Sequence, residues 1–268
     1  MTRTDATRPT GELLAPFAAS ARELAVLSDF DGSLAPVVQD PDDAVALPAA
    51  LDALRRLVPL VRRVGIVSGR AVEFLTLRVA LPGVELAGQH GLEFERSGER
   101  RLDAAALPYV EVMRVAAAEA ESLLPGIRVE DKGASITLHW RGRPARADEV
   151  RGVAAELAER HGLVLLPGRL ISELRPPVVA DKGTAVEALA SGCAAAIFAG
   201  DDDGDLAGFE ALDRLTSSGD LRHALRIGVS SPEAPAELMA RADVVVDGPP
   251  GLAALLSSLA GIIGGAPD

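Results

Sequence analysis

Cysteine is almost missing from this chain of 268 residues. Cys193 stands alone, which excludes an intrachain disulfide and a cysteine-based metal site. Lysine is nearly as scarce: of 27 basic residues only Lys132 and Lys182 are lysines. Against such an arginine bias, a surviving lysine points to a place that calls for a compact ammonium rather than a planar fork. Four histidines are present, His90, His139, His161 and His223, and aromatics make up 3%, so the core must rest on Leu, Val, Ala and Ile. An excess of basic charge is lacking too. The net charge is −12, which argues against a nucleic-acid binder, since that would need a basic face. An acidic site filled by a divalent cation fits better. No G-K-[ST] loop is present and no G-x-G-x-x-G follows a strand, so nucleotide binding has no support. No apolar signal core follows Met1. The most apolar tail, Gly251 to Ala266, is shorter than a membrane span and is broken by Gly and Ser. The expectation is a soluble, cytoplasmic protein with no membrane and no nucleic-acid partner.

What is present is organised around Leu24 to Leu34, L-A-V-L-S-D-F-D-G-S-L. Leu24 to Asp29 reads as a buried parallel strand, a continuous apolar run ending in a carboxylate. Asp31 follows two positions later, and Gly32 permits a sharp turn. Ligands gather beyond the carboxyl ends of strands in open α/β sheets. Asp29 and Asp31 are thus placed to share a metal, or to divide the roles of nucleophile and acid/base. D-x-D-G can equally be a solvated turn.

Further along, Pro48 to Leu60 has helical spacing. Val64 to Val67 is a short strand ending in Ser68-Gly69-Arg70, a helix spans Ala71 to Val79, and Val84 to Ala87 is a third strand. This alternation indicates a parallel sheet. The texture changes after a hairpin-like Glu93 to Asp103. Ala-rich helical segments then alternate with strand pairs around Lys132-Gly133 and Pro167-Gly168, until Pro176-Pro177. Afterwards the first texture returns, with a helix from Thr184, a strand from Ala194 to Ala199, the acidic run Asp201 to Asp205, two short strands and a closing helix. The fold class is α/β: a doubly wound, mostly parallel sheet core, residues 1–105 and 176–268, with an inserted α+β cap at 106–175.

Polar residues are expected along one sheet edge at Asp29 and Asp31, Ser68, Lys182, and Asp201 to Asp205. A nucleophilic carboxylate, a hydroxyl, an ammonium and a metal-binding carboxylate are what phosphoryl transfer requires. Singly, each has a plainer account. Ser68 suits a helix N-cap, Lys182 a solvated loop, and the acidic run a solvated turn. A calcium loop is excluded, because its sixth position is Leu206 and its twelfth Leu212.

In order, D-x-D-G-[ST], S-G-R, K-G and G-D-D resemble the four motifs of the haloacid-dehalogenase-like phosphatases. Glu130 to Arg141 (E-D-K-G-A-S-I-T-L-H-W-R), Gly88-Gln89-His90-Gly91 and Glu173-Leu174-Arg175-Pro176 are similar to the trehalose-6-phosphate phosphatases within that superfamily. The resemblance covers residues 24 to about 250. It implies that Asp29 attacks phosphorus to form an aspartyl phosphate and that Asp31 acts as acid, then base. Ser68 and Lys182 would hold the phosphoryl oxygens. Asp201, Asp29 and the backbone carbonyl of Asp31 would bind Mg2+, and Asp205 and Asp202 would orient Lys182 or metal-bound waters. Glu130, Lys132 and Glu173, with His90, Ser135, His139 and Arg141, would face a phosphosugar substrate. A functional link to a trehalose-phosphate synthase follows from the same resemblance. The alternatives are a phosphatase of sucrose phosphate or mannosylphosphoglycerate, or a non-catalytic phosphosugar sensor. Two departures stand out. Gly204 replaces the usual Thr, and Leu206 and Ala207 replace common acidic residues, so weaker metal binding is expected there. His161 and His223 are expected to be exposed, and Arg62, Arg63, Arg100 and Arg101 to be solvated.

Overall fold

A run of five buried residues, β1 (Leu24–Ser28), forms the centre of the molecule's larger sheet. The computed structural model describes residues 9–38, 40–168 and 170–265. The polar lead at residues 1–8 and Ala266, the last residue of the expected closing helix, lie outside these. Helix α1 (Thr10–Ala19) precedes β1; α2 (Pro48–Leu57), β2 (Arg63–Val67), α3 (Val72–Val79), β3 (Val84–Gly88) and a hairpin, β4 (Glu93–Arg96) and β5 (Glu99–Leu102), follow. Next come α4 (Val110–Leu123), β6 (Arg128–Asp131), β7 (Ile136–His139), α5 (Ala147–His161), β8 (Val164–Gly168) and β9 (Ile171–Arg175). The chain ends with α6 (Lys182–Ala190), β10 (Ala195–Gly200), α7 (Leu206–Ser218), β11 (His223–Ser230), α8 (Ala236–Arg241), β12 (Val244–Asp247) and α9 (Gly248–Gly264).

These elements divide into two compact units, 1–100 with 180–268, and 101–179. The first unit is built on a sheet of order β12-β11-β10-β1-β2-β3-β4-β5. Pairing is parallel from β12 to β3 and antiparallel between β3 and β4. Alternation along β1 explains why it must be covered twice. Leu24 and Val26 join a cluster with Leu14, Leu54 and Leu256, whereas Ala25 and Leu27 join one with Leu189, Phe198 and Phe209. Helices α1, α2 and α9 therefore cover one face, and α6 and α7 the other. Each fully buried Leu contributes about 1.5–3 kcal/mol, which suits a core with few aromatics.

The second unit is an antiparallel sheet of order β6-β7-β9-β8. Ile136, Leu138 and Leu174 pack with Met113, Ala116, Val150 and Leu157 from α4 and α5. Opposite in the pleat, Glu130 pairs in register with Thr137, and Thr137 with Glu173. Three polar side chains thus share one row on the face away from the helices.

Four features differ from the sequence-based expectation. Helix α8 is additional, a short helix with only Leu238 fully buried, too brief to show a period. Lys182 is not in a solvated loop ahead of a helix from Thr184 but is buried and opens α6, where Asp181 and Thr184 form a capping box. Arg63 is not a solvated charge: it pairs with Glu85 at 3.0 Å and donates to the carbonyl oxygens of Leu189 and Ser191. His161 is half-buried, 3.2 Å from Glu119. No described helix is long and apolar enough to cross a membrane.

Candidate active site

The strand ends of β1 and β10 bring the first and fourth motifs side by side. Asp29 donates its backbone N–H to Ala199 O at 2.8 Å, continuing the parallel ladder one residue past β1. Gly200 ends β10, and a Cβ there would lie 2.3 Å from the Asp205 side chain. Only glycine leaves room for that carboxylate to cross the strand end. Gly32, at φ +85°, serves similarly: a Cβ would fall 2.0 Å from Asp201 Oδ2. Lys182 reaches the same place from the start of α6. Gly183 allows this approach, since a Cβ there would meet Ala207 O at 2.6 Å.

The resulting cluster is buried. Asp29 is 2% exposed, Lys182 3% and Asp205 0%. Lys182 Nζ lies 2.9 Å from Asp29 Oδ1, 2.8 Å from Asp205 Oδ1 and 3.3 Å from Asp202 Oδ1. Asp205 Oδ2 accepts the backbone N–H groups of Asp201 and Asp202 at 3.0 and 3.1 Å. Asp205 is therefore a brace between the ammonium and the acidic turn. Burial pushes the Asp29 carboxyl well above its ordinary value, more than the Lys182 ammonium draws it down. Burial likewise raises Asp201 to about 7, helped by Asp202, and Asp205 to about 7 against the pull of Lys182. For Lys182, burial acts to lower the value, but Asp205, Asp29 and Asp202 together carry it well above.

Asp29, Asp201 and Asp205 place carboxylate oxygens within 4.8 Å of one another. Asp201 Oδ1 is buried without a hydrogen-bond partner. An all-oxygen donor set with an unmet buried acceptor fits a hard dication. Asp31 is oriented otherwise: its two carboxylate oxygens accept from Arg70 Nε and Nη2, each at 2.8 Å. Arg70 was not among the expected site residues, although it completes the S-G-R motif.

Ser68 is 1% exposed. Its turn is gripped by the G-Q-H-G segment. Ser68 N–H donates to Ala87 O, His90 N–H to Ser68 O, and Gln89 N–H to Arg70 O, all at 2.8–2.9 Å. Gln89, His90 and Gly91 all have positive φ, from 50° to 96°, a strain that functional segments sustain when their surroundings hold them. The His90 ring lies against Gly69, where a Cβ would come 2.7 Å from Nε2. Buried Glu93 completes this brace, accepting from Val72 N–H at 2.9 Å and Gln89 Nε2 at 3.2 Å and pairing with Arg100. Arg100 is thus engaged rather than merely solvated.

In the second unit the polar row carries its own network. His139 Nε2 and Glu130 Oε2 are 2.8 Å apart. Ser135 Oγ donates to Glu173 Oε1 at 3.0 Å, and Lys132 Nζ lies 3.6 Å from the same oxygen. Arg141 is exposed. Thr137, which sequence reasoning passed over as an alternating strand residue, sits between Glu130 and Glu173 with Oγ1 unpartnered. Burial acts to raise the Glu130 carboxyl, but the His139 hydrogen bond and the Lys132 charge bring it down from 4.5 to about 2. The folded value lies below the unfolded one, so this carboxylate stabilises the fold above the ordinary range and ceases to as pH falls toward about 2. Carboxyl NMR titration should place the Glu130 midpoint near 2, and His139→Ala should raise it; a wild-type midpoint near 4.5 would refute the pairing.

The trehalose-phosphatase family model matches residues 27–238. Trehalose-phosphate phosphatase of Mycobacterium tuberculosis (strain H37Rv) is 35% identical over 241 residues, covering 82% of this chain and 61% of that protein. The chain therefore spans about three-fifths of the length of this curated relative. Among solved structures, a trehalose-6-phosphate phosphatase related protein superposes with a TM-score of 0.74 at 25% identity, covering 88% of this chain and 96% of that one. The C-terminal domain of the Candida albicans trehalose-6-phosphate phosphatase gives a TM-score of 0.72 at 22% identity, covering 97% and 99%. The doubly wound sheet with its inserted cap is the haloacid-dehalogenase-like fold.

Proposed function

The chain belongs to the trehalose-phosphatase family, and from that membership we propose that it is a Mg2+-dependent phosphatase releasing trehalose and phosphate from trehalose 6-phosphate. The observation that carries the proposal is the buried Asp29–Lys182–Asp205 cluster beside Asp201. A buried carboxylate facing a buried ammonium, at the carboxyl end of the central strand, is the arrangement a covalent phosphoryl transfer needs.

Asp29 attacks phosphorus, and the bond from phosphorus to the sugar oxygen breaks as Asp31 gives its proton to that oxygen. Asp31 then takes a proton from water, which attacks the aspartyl phosphate and returns Asp29 as a carboxylate with release of phosphate. Lys182 Nζ and Ser68 Oγ hold the phosphoryl oxygens. Asp205 keeps Lys182 aimed, because one of its oxygens accepts from Nζ and the other is tied to two backbone N–H groups. Asp29, Asp201 and the Asp31 backbone carbonyl would hold Mg2+. When bound, that ion neutralises charge on the phosphoryl oxygens. In the second unit Glu130, Lys132 and Glu173, with Ser135, His139 and Arg141, would supply donors and acceptors for a disaccharide's hydroxyls, and His90 in the first unit is assigned the same role by family resemblance. A synthase that makes trehalose phosphate would be the functional partner.

The test is phosphate release from trehalose 6-phosphate, sucrose 6-phosphate, glucose 6-phosphate and an aryl phosphate, with Mg2+ and with chelator. Strong Mg2+-dependent preference for trehalose 6-phosphate is expected. Lys132→Ala should lower turnover of the disaccharide by about 10–100-fold and the aryl ester by far less, consistent with a lost charged hydrogen bond of about 1.5–3 kcal/mol. Activity on another sugar alone would sink the substrate assignment. No turnover by folded protein would favour the sensor, for which the Gly204 departure is the motive.

A further inference from the structure

The backbone around Asp31 leaves the two torsions of its side chain free, and Arg70 fixes them. Gly32 N–H donates to Ala35 O at 2.7 Å, and the N–H groups of Leu34 and Ala35 both reach Phe30 O. This tight loop fixes the Cα of Asp31 but not its side-chain torsions. The Arg70 guanidinium then takes both carboxylate oxygens at 2.8 Å.

An ion pair between flexible side chains is usually worth little, because holding two long chains in one geometry costs entropy. This one is held from several sides. The Arg70 carbon Cζ sits 4.5 Å from the centroid of Phe74, whose ring meets Phe30 edge-on at 6.1 Å. Phe30 is the fully buried residue between Asp29 and Asp31. The Arg70 backbone is fixed as well, with its N–H on Ser68 Oγ at 3.2 Å and its carbonyl on Gln89 N–H at 2.8 Å. The guanidinium is therefore a rigid fork, built into the same turn that carries Ser68, and the carboxylate it grips belongs to the opposite motif.

We propose that Arg70 is a positioning residue that aims the Asp31 carboxyl group at the leaving oxygen of the phosphate ester. The inference rests on the acid role given to Asp31 above. Its consequence is selective. Expelling a sugar alkoxide needs a proton, whereas expelling 4-nitrophenolate does not, so a misaimed Asp31 harms the first reaction and spares the second. A lysine cannot replace the fork, since it offers a point charge without two parallel donors.

The experiment compares kcat/KM for trehalose 6-phosphate and 4-nitrophenyl phosphate in the wild type, Arg70→Ala, Arg70→Lys, Asp31→Asn and the double variant Arg70→Ala/Asp31→Asn, each with its melting temperature. Arg70→Ala is expected to lose about 10²–10³-fold on the sugar phosphate and less than about fivefold on the aryl ester. Arg70→Lys should recover little of this, and the double variant should be no worse than Asp31→Asn alone. Equal losses on both esters, no loss on either, or additive losses in the double variant would overturn the inference. If the wild type hydrolyses glucose 6-phosphate or another alkyl phosphate but not trehalose 6-phosphate, the substrate assignment fails and the same contrast is read on that ester.

Discussion

Asp29→Asn is expected to suppress phosphate release by at least about 10³–10⁴-fold, the scale on which losing a covalent nucleophile acts. The fold should survive intact. Asn keeps an oxygen that can accept from Lys182 Nζ, now 2.9 Å from Asp29 Oδ1. It also removes a charge from a site that is 2% exposed and crowded by Asp201, Asp202 and Asp205. Burying an ion is costly and burying an amide much less so. The variant should therefore melt at or above the wild-type temperature in chelator while releasing almost no phosphate. Circular dichroism melts and a phosphate-release assay check both halves. Turnover within tenfold of wild type would remove Asp29 as the nucleophile.

Lys182→Met is expected to do the opposite to the fold. Its ammonium lies within 3.3 Å of three carboxylates. Methionine matches the length of the stem but supplies no charge, leaving Asp29 and Asp205 buried together without a counterion. Breaking a buried ion pair from one side costs about 3–5 kcal/mol. Urea denaturation in chelator should show a loss of that order, together with loss of phosphate release. Arginine would not rescue it. The Lys182 stem passes the Gly204 position closely enough that a Cβ there would touch it at 3.7 Å, and a wider planar head needs room that a compact ammonium does not. A melt within about 1 kcal/mol of wild type would show that the cluster has another source of balance.

The sheet was legible because its strands are short apolar runs that end in unusual residues. Leu24 to Asp29 and Ala194 to Ala199 pointed to β1 and β10, and the motifs at their ends do meet. What stayed hidden was pairing between distant side chains. Arg63 follows Arg62 in a way that suggests a solvated pair, and only the parallel register of β2 turns it toward Glu85 and the end of α6. Glu93 looked like one more charge in a polar hairpin, yet it is 1% exposed and braces the Ser68 turn. Arg70 escaped for a related reason. The S-G-R motif directs attention to the hydroxyl, and nothing local says that the third residue reaches a carboxylate 39 positions earlier. For Lys182 the local signal was there: D-K-G-T is a capping box, and it places the lysine at a helix start.

The pairing of Leu24 with Ala195 sets an order of events during synthesis. The central strand emerges from the ribosome about 170 residues before its neighbour β10, roughly 9–34 s earlier at ordinary elongation rates of ~5–20 residues per second. Through that interval β1 has one unpaired edge. The inserted segment, contiguous from Arg101 to Val179 and with its own apolar cluster, is finished before the sheet it interrupts can close. Asp29 gains its backbone partner, Ala199, only then. The cluster around Asp29 is thus incomplete until both halves of the sheet are out, and a chaperone that shields the waiting edge would act on Leu24 to Ser28.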